Sequence, residues 1–220
     1  MTRTGPTHRV VVVGGGVGGL AAAADLARHG LDVTLLERAA TVGGKLRQVS
    51  ADGHLVDAGP TVFTMRWVFE GLFGDAGQRL EDALQLDPVQ VLARHAWGSG
   101  GRLDLYADPQ RSAVAIADFA GAAEARRYLA FCAQAREVYA ALEGPYIRSP
   151  RPTLTGMMAD LGWQGSRALA SLGLFSDMWR SLGKHFRDPR LQQLFGRYAT
   201  YCGSSPFDAP ATLMLVAHVE

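Results

Sequence analysis

The chain has 220 residues, of which 48% are hydrophobic, so it can form one large domain or parts of two around a sizeable core. Its 22 Lys and Arg residues against 21 Asp and Glu leave a formal net charge of +1, which argues against a nucleic-acid partner. The two cysteines stand far apart, without a CxxC motif or paired histidines, which argues against a disulfide framework or a metal site and fits a reducing cytoplasm.

The stretch VVVVGGGVGGLAAAADL at residues 10–26, which is uncharged up to Asp25, has two incompatible interpretations. Arg3, His8 and Arg9 supply a positive start and the alanines resemble a cleavage region, as in a secretion signal. The alternative is a nucleotide site. In either case the run is too short and too rich in glycine to cross a membrane as a helix, so no transmembrane segment is predicted.

The glycine spacing favours the nucleotide site. Residues 10–13 form a short buried-strand pattern, and Gly14, Gly16 and Gly19 then match GxGxxG ahead of a predicted helix over residues 20–29. In such a motif the first glycine permits a tight turn, the second lets the backbone approach a pyrophosphate, and the third allows close packing of the helix on the strand.

A second predicted strand, residues 31–36, follows Gly30 and ends at Glu37, eighteen residues after Gly19. A carboxylate at this distance can accept hydrogen bonds from ribose hydroxyls and would repel a 2′-phosphate, so the adjacent Arg38 does not indicate NADP. Strand, glycine loop, helix, second strand and terminal acid together predict a site for NAD or for the adenosine half of FAD. A cleaved signal peptide would need none of them.

A second glycine pair, Gly43 and Gly44, lies between Arg38 and the basic residues Lys45 and Arg47. It is either an ordinary surface turn or a second backbone approach to the diphosphate of an extended FAD. Residues 46–50 and 54–56 then predict two strands joined by an Asp52–Gly53 hairpin turn, which leads into the sequence DAGPT at residues 57–61.

VVVGGGVGGLAAAADLARHGLDVTLLERAATVGGKLR followed by VDAGPTVFTM resembles the amino-terminal part of the bacterial carotenoid desaturases, the phytoene desaturase family of FAD-dependent oxidoreductases. The later segment LGKHFRDPRLQQLFGRYATYCGSSPFDAPATL most resembles its 1-hydroxycarotenoid 3,4-desaturase branch. Members of this family are much longer, and a further carboxy-terminal segment completes their site. The resemblance therefore implies a fragment whose parent protein desaturates an acyclic carotenoid, with FAD as cofactor.

The resemblance also implies roles for particular residues. The pyrophosphate would lie on Gly14, Gly16 and Gly19, the adenosine ribose on Glu37 beside Arg38, the flavin linker along Gly43, Gly44 and Lys45, and the isoalloxazine end near Gly59, Pro60 and Thr61. Lys45 stands where related amine oxidases usually carry arginine, so a point charge replaces a bidentate phosphate contact. No catalytic residue is assigned, and His54 and Asp57 are left out as catalysts.

The predicted fold is α/β. A Rossmann-like FAD-binding domain with a βαβ unit and a parallel sheet occupies residues 1–75, and part of an inserted, largely helical α+β substrate domain occupies residues 76–220, with the carboxy-terminal part of the fold missing. Its predicted elements are helices at residues 65–73 and 128–142, strands at 84–97 and 102–106, and a helix that begins after Asp208 and Pro210.

Residues 154–186 are rich in Met and Trp and poor in charge. They form either a buried helical pair or an amphipathic surface that meets a membrane, which would suit a hydrophobic carotenoid substrate. We therefore expect a cytoplasmic protein without a signal peptide, bound peripherally to the inner or intracytoplasmic membrane. The alternatives are a phytoene desaturase, another amine-oxidase-like flavoenzyme, or a non-enzymatic binding protein like the GDP-dissociation inhibitors; the oligomeric state is not predicted.

Overall fold

The computed structural model describes residues 8–60, 63–98, 100–149, 153 and 176–220. The chain divides into two compact units, Met1–Asp87 and Pro88–Glu220. The predicted assignment of residues 1–75 to the cofactor and 76–220 to the substrate is a statement about function, and it stays a prediction. Thr61 and residues 154–175 lie outside the described residues.

Within residues 8–60 and 63–87, the first unit combines short strands with three helices. In chain order they are β1 (Arg9–Val13), α1 (Val17–Arg28), β2 (Asp32–Leu36), β3 (Gln48–Ala51), β4 (His54–Asp57), α2 (Arg66–Asp75) and α3 (Leu80–Ala83).

The β1–α1–β2 segment is the predicted βαβ unit. β1 and β2 pair in parallel, with Val10 opposite Val33 and Val12 opposite Leu35. Along each strand half-buried residues alternate with exposed ones, as the two-residue period of a strand requires. Parallel strands need a crossover, and α1 provides it, so the predicted Rossmann-like α/β class is confirmed for this unit.

The predicted hairpin is also confirmed. β3 and β4 pair antiparallel, with Ala51 opposite His54. The two loop residues, Asp52 and Gly53, both have positive φ, at 50° and 81°. Two residues in this conformation form the tight turn whose twist matches that of the flanking strands, which is why the Asp-Gly pair specifies the hairpin.

The part of the second unit that the structure describes is mainly helical. Its elements are β5 (Val91–Ala96), β6 (Arg102–Tyr106), α4 (Pro109–Ala120), α5 (Ala122–Leu142), a π-helix (Glu143–Ile147), α6 (Met178–His185), α7 (Pro189–Gly196), two 3-10 helices (Arg197–Cys202 and Ala211–Leu215) and α8 (Val216–Val219).

Side-chain caps begin three of these helices. Asp108, Asp177 and Asp188 each accept a hydrogen bond at 2.8 Å from a backbone N–H in the first turn of α4, α6 and α7. Prolines occupy the first positions of α4 and α7, where no backbone donor is needed. These local signals fix where the helices start.

The core of the second unit centres on α5. Phe131 is fully buried and its ring lies 5.0 Å from Phe195 and 5.2 Å from Phe186. Tyr128, Val138 and Leu142, predicted as one face of this helix, are buried as well. The predicted helix is confirmed and extends further towards the amino terminus than its periodicity indicated.

Two sequence predictions were wrong in part. The predicted strand over residues 84–97 begins only at Val91, because Pro88 has no backbone donor for a ladder and α3 ends just before Leu84. The helix predicted after Pro210 starts as a 3-10 helix, Ala211–Leu215, and becomes α-helical only at Val216.

Candidate functional site

The first glycine loop joins β1 to α1. The N–H of Gly14, at φ +104°, donates to the carbonyl of Leu36 at 2.7 Å and so ties the ends of the two parallel strands together. A Cβ added at Gly19 would lie 1.9 Å from the carbonyl oxygen of Gly14, whereas one added at Gly18 would meet nothing within 4 Å. Gly19 is therefore required by the close packing of α1 on the loop.

Gly16 is different, because the protein itself leaves room around it. An added Cβ would meet only the Cα of Gly44, at an ordinary contact distance of 3.9 Å. Gly16 is the N-cap of α1, which has no side-chain cap and no acidic residue in its first turn. Backbone donors at a helix start without a competing carboxylate suit an anionic ligand.

The second glycine loop packs directly on the first. Gly43 forms a parallel bridge with Gly16, and its N–H donates to the carbonyl of Gly15 at 2.8 Å. A Cβ on Gly43 would lie 2.5 Å from the carbonyl oxygen of Leu46, and one on Gly44 would lie 2.9 Å from the Cα of Gly16. Both have positive φ, +124° and +61°. The two loops thus form a single backbone-lined cradle that side chains would disrupt.

Glu37 lies at the end of β2, beside the first loop. Its Oε2 accepts from the N–H of Gly15 at 2.6 Å, and its Oε1 accepts from the N–H of Ala39 at 2.7 Å. These bonds, with the nearby positive charge of Arg38, hold the pKa of Glu37 below its ordinary value. Each carboxylate oxygen keeps further acceptor capacity, which the two hydroxyls of a ribose could use.

Gly15 is the residue that the sequence analysis missed. It is buried, donates to Glu37 and accepts from Gly43, so it joins the acid to both loops. A Cβ there would lie 2.9 Å from Val42 and 3.1 Å from Glu37. The signal was visible as the middle glycine of the GGG run, which the GxGxxG pattern leaves unspecified.

The segment after β4 also returns to the second loop. The N–H of Ala58 donates to the carbonyl of Arg47 at 2.8 Å, and a Cβ on Gly59 would lie 1.8 Å from the carbonyl oxygen of Lys45. This contact places Pro60 next to Lys45 on the wall of one pocket. Thr61, assigned with Gly59 and Pro60 to the flavin end, lies outside the described residues.

A pocket of about 730 Å³ opens at this junction. Its lining comes from both glycine loops, the first residue of α1, the segment after β4, α2 and the residue that follows α3: Gly16, Val17, Gly43, Lys45, Leu46, Pro60, Phe63, Thr64, Phe69 and Leu84. Lys45 is the one charged residue of that lining. Four of the predicted residues thus line one cavity: Gly16, Gly43, Lys45 and Pro60. Glu37 is not part of this lining and is bonded to the backbone N–H of Gly15. The binding roles of all these residues stay predictions.

The described residues offer few other candidates for chemistry. No group of three His, Cys, Asp or Glu residues among them could hold a metal ion. Burial raises the pKa of the Cys132 thiol, so it is a poor nucleophile. His54 is exposed in the hairpin and Asp57 accepts from Gln48 at 3.0 Å; leaving both out as catalysts stays a prediction.

The predicted membrane segment, residues 154–186, is described only over its last part. There Met178 and Leu182 are fully buried in the core of the second unit, and Trp179 packs on Phe207 with ring centroids 5.0 Å apart. No helix among the described residues is long and apolar enough to cross a membrane.

Comparisons with known proteins agree with this geometry. Residues 12–72 match the NAD(P)-binding Rossmann-like domain family. The chain is 65% identical over 215 residues to hydroxyneurosporene desaturase of Rubrivivax gelatinosus, covering 97% of this chain and 41% of that protein. It is 45% identical to hydroxyneurosporene desaturase of Cereibacter sphaeroides over 96% of this chain and 43% of the relative. The chain thus spans about two-fifths of the length of these relatives.

More distantly similar proteins align over the same part of this chain and a similar share of their own length. A 4,4′-diapolycopene oxygenase of Methylomonas sp is 32% identical over 97% of this chain and 42% of its own length. Among solved structures, a cofactor-binding mutant of putrescine oxidase aligns with a TM-score of 0.58 and 17% identity, covering 96% of this chain and 42% of the oxidase. At that identity the structural match supports the fold alone.

Proposed function

We propose that this chain, which is similar to hydroxyneurosporene desaturases over about two-fifths of their length, forms the dinucleotide-binding part of an FAD-dependent desaturase of acyclic carotenoids. The relatives named hydroxyneurosporene desaturase support a hydroxylated carotenoid as substrate. We assign the 3,4 bond as the bond that is desaturated from the resemblance of the later segment to the 1-hydroxycarotenoid 3,4-desaturase branch alone. The observation that carries the proposal is the double glycine cradle beside Glu37.

The residues present fit FAD. A simple NAD site needs the first glycine loop and the acid, whereas here a second loop is bonded to the first through Gly43 and Gly15. The space beside Gly16, the uncapped start of α1 and the charge of Lys45 suit a diphosphate. The adjoining pocket leaves room for the rest of an extended dinucleotide.

Each part of the site then has a definite task. Glu37 accepts hydrogen bonds from the adenosine ribose, with its charge maintained by the amides of Gly15 and Ala39. The backbone at Gly14, Gly16 and Gly19 approaches the pyrophosphate, and Lys45 adds a positive charge to the same cavity. The apolar lining beyond Pro60 excludes water. When bound, the flavin supplies the acceptor for a hydride from an allylic carbon.

Cofactor binding is tested first. The purified protein is titrated into FAD and flavin fluorescence is followed, with NAD and NADP in parallel titrations as competitors. We expect FAD to bind with a visible flavin band retained after gel filtration, and NADP not to compete. Absence of any flavin binding would favour a non-enzymatic binding protein of the same fold.

The substrate is tested in cells. Production of the protein, alone and together with a polypeptide equivalent to the remaining length of its relatives, is compared in cells that accumulate hydroxylated acyclic carotenoids. Extra conjugation, seen as a red shift of carotenoid absorption and a mass lower by one or more hydrogen pairs, is the expected product. If phytoene is the only carotenoid converted, the proposed substrate is wrong, whereas the proposed enzyme family still stands.

Membrane association is part of the proposal, because a carotenoid partitions into lipid. We propose peripheral binding at the cytoplasmic face through residues 154–186. Met178 and Leu182 are buried and therefore do not face lipid. Liposome flotation with and without residues 154–175 tests this assignment, and equal flotation of the two proteins would contradict it.

A further inference from the structure

We propose that a cavity of about 440 Å³ in the second unit binds a neutral alcohol with an apolar body, whose hydroxyl group is recognised by Gln193 and Thr200. The residues described in its lining lie between Trp179 and Phe207, so none of them belongs to the pocket beside the glycine loops. The site goes beyond the proposed function, because it needs neither FAD nor a carotenoid.

One side of the cavity is a single helical face. It is formed by residues of α7 and of the 3-10 helix that continues it: Gln193, Gly196, Arg197 and Thr200. Residues three, four and seven positions apart lie on the same side of a helix. The polar side chains of this face are therefore neighbours in the cavity, although they come from two consecutive elements.

A second wall is aromatic. The ring centroids of Trp179 and Phe207 lie 5.0 Å apart, and Phe207 keeps 61% of its surface exposed. The N–H of Trp179 donates to the carbonyl of Pro206 at 2.9 Å, and its carbonyl accepts from the side chain of Gln192 at 2.9 Å. A Cβ added at Gly196 would lie 3.5 Å from the Trp179 ring, so this wall adjoins the helical face. It offers accessible apolar surface on a well-anchored backbone.

Gln193 contributes a hydrogen-bond donor to the cavity. The indole Nε1–H of Trp97 donates to the Oε1 of Gln193 at 2.9 Å. Because an indole nitrogen is only a donor, the atom that it contacts must be the amide oxygen, which fixes the orientation of the amide group. The amide nitrogen of Gln193 has no acceptor among the residues that the structure describes, so it can donate to a ligand.

Thr200 contributes an acceptor. Its hydroxyl donates to the carbonyl of Arg197 at 2.7 Å, so its proton is engaged within the 3-10 helix while its oxygen can still accept. A ligand hydroxyl can do two things at once here: accept from Gln193 and donate to Thr200. An ether oxygen can only accept, and a hydrocarbon can do neither.

The charges at the cavity argue against an anionic ligand. Arg197 is the one charged residue of the described lining, and its Nη2 already donates to both carboxylate oxygens of Glu220, at 2.7 and 2.6 Å. A second carboxylate on the same guanidinium would be repelled by Glu220. The ligand that fits the donor, the acceptor and the aromatic wall is therefore neutral.

This ligand chemistry has two sources. One is the hydroxylated end of a carotenoid, in which case the cavity selects hydroxylated substrates; this source alone rests on the proposed function. The other is a short, free isoprenoid alcohol. The volume of the cavity lies within the range of about 300–1,000 Å³ that is usual for small-molecule sites.

The site is tested by titrating the whole protein with three acyclic isoprenoids of similar size. Linalool presents a hydroxyl, its methyl ether presents an ether oxygen, and geranate presents a carboxylate. The NMR signals of the indole N–H groups report binding, because Trp179 belongs to the aromatic wall and Trp97 is bonded to Gln193. The signal of Trp67, on α2 in the first unit, is the internal control and should not move.

Thr200→Val is the diagnostic variant. Thr34→Val removes the same hydroxyl at an exposed position of β2 and is the matched control. We expect the wild type to bind linalool about fivefold more tightly than the ether, which corresponds to one hydrogen bond, and to bind geranate more weakly than linalool. Thr200→Val should bind linalool and the ether equally, with its affinity for the ether changed less than twofold, and Thr34→Val should behave as the wild type. Circular dichroism checks that both variants are folded.

Three results would overturn the site. They are equal affinities of the wild type for linalool and the ether, tighter binding of geranate than of linalool, and a titration in which neither Trp97 nor Trp179 shifts. Because this titration contains no FAD, a failure to bind flavin would contradict the proposed function and leave the alcohol site standing.

Competition then identifies the source of the alcohol. Hydroxyneurosporene in detergent micelles is added to the linalool-bound protein, with neurosporene in the same micelles as control. Reversal of the shifts by hydroxyneurosporene alone supports the site with the carotenoid as its ligand, and reversal by neither supports it with a free alcohol. Equal reversal by both carotenoids would contradict recognition of the hydroxyl.

Discussion

Gly18 and Gly19 are neighbours in α1, and only Gly19 is enclosed by the chain. A Cβ at residue 19 would overlap the carbonyl of Gly14, which is backbone and cannot rotate away, while residue 18 faces open space. We expect Gly19→Ala to lower the free energy of unfolding of the first unit by about 3 kcal/mol, at the upper end of overpacking costs, and to abolish FAD binding.

Gly18→Ala is the matched control. Replacing a glycine within a helix by alanine should stabilise it by about 0.5–1 kcal/mol, and FAD affinity should stay unchanged. Thermal unfolding and flavin fluorescence measure both properties. Similar behaviour of the two variants would mean that α1 does not pack on the first loop as described.

The ionisation of Glu37 should make FAD affinity depend on pH. Its hydrogen bonds from Ala39 and Gly15 place its folded-state pKa below the ordinary value of 4.5. The contribution of the carboxylate is therefore fully present above that value and is lost as the pH falls through the folded-state pKa. We expect FAD affinity to be constant near neutral pH and to fall in acid.

Glu37→Gln should bind FAD about tenfold more weakly at pH 7, because a charged acceptor is replaced by a neutral one. Its affinity should also lose the acid dependence of the wild type. Asp87→Asn is the control: it removes the same charge at an exposed position and should leave the dependence of FAD affinity on pH unchanged. A titration in which Glu37→Gln and wild type coincide would remove Glu37 from the site.

How far the sequence predicts these residues depends on the distance over which they interact. Gly14, Gly19 and Glu37 follow from spacing, because one turn, one helix and one strand determine their positions. The bond from Gly15 to Glu37 and the bridge from Gly43 to Gly16 depend on how separate segments meet. GxGxxG does not specify Gly15, and the second glycine pair could equally have been a surface turn.

At the scale of elements, a buried carboxylate determines how two helices of the second unit join. Glu124, 6% exposed in the first turn of α5, accepts from the backbone N–H groups of Arg187 and Asp188, which precede α7. It also pairs with Arg127 at 3.2 Å. Its removal would leave two part-buried backbone donors without this acceptor.

We expect Glu124→Ala to lower the free energy of unfolding of the second unit by about 2 kcal/mol. Glu124→Gln, which keeps one acceptor oxygen, should cost less. Glu137→Ala on the exposed face of the same helix is the control and should change stability by less than about 0.5 kcal/mol. Urea unfolding gives these values; equal effects of Glu124→Ala and Glu137→Ala would show that the carboxylate does not hold this junction.

The elements that the sequence predicts well carry local signals. Asp52 and Gly53 specify the hairpin turn, and the spacing of Tyr128, Phe131 and Val138 specifies the buried face of α5. The prediction failed at residues 84–90, where an apolar pattern continued but Pro88 interrupted pairing. Periodicity describes side-chain faces, and it does not reveal whether a partner strand is present.

At the scale of the whole molecule, the two units differ in how they are stabilised. Among the described residues, Leu80 is the one buried hydrophobic residue of the first unit, while the extensive core around Phe131 lies in the second. Val13 at the end of β1 is 82% exposed. Since burial of apolar surface is the main source of stability, the first unit should open more readily than the second.

Hydrogen exchange tests this difference and its connection to the cofactor. Without ligand, amides of β1 and α1 should exchange faster than those of α5 and α7. Because FAD would bind only the folded first unit, free FAD at about 100 times its Kd should slow exchange in residues 9–36 by roughly 100-fold and leave α5 unchanged. Equal protection of both units before FAD is added would contradict the assignment of the stable core; uniform slowing would show that the units unfold together.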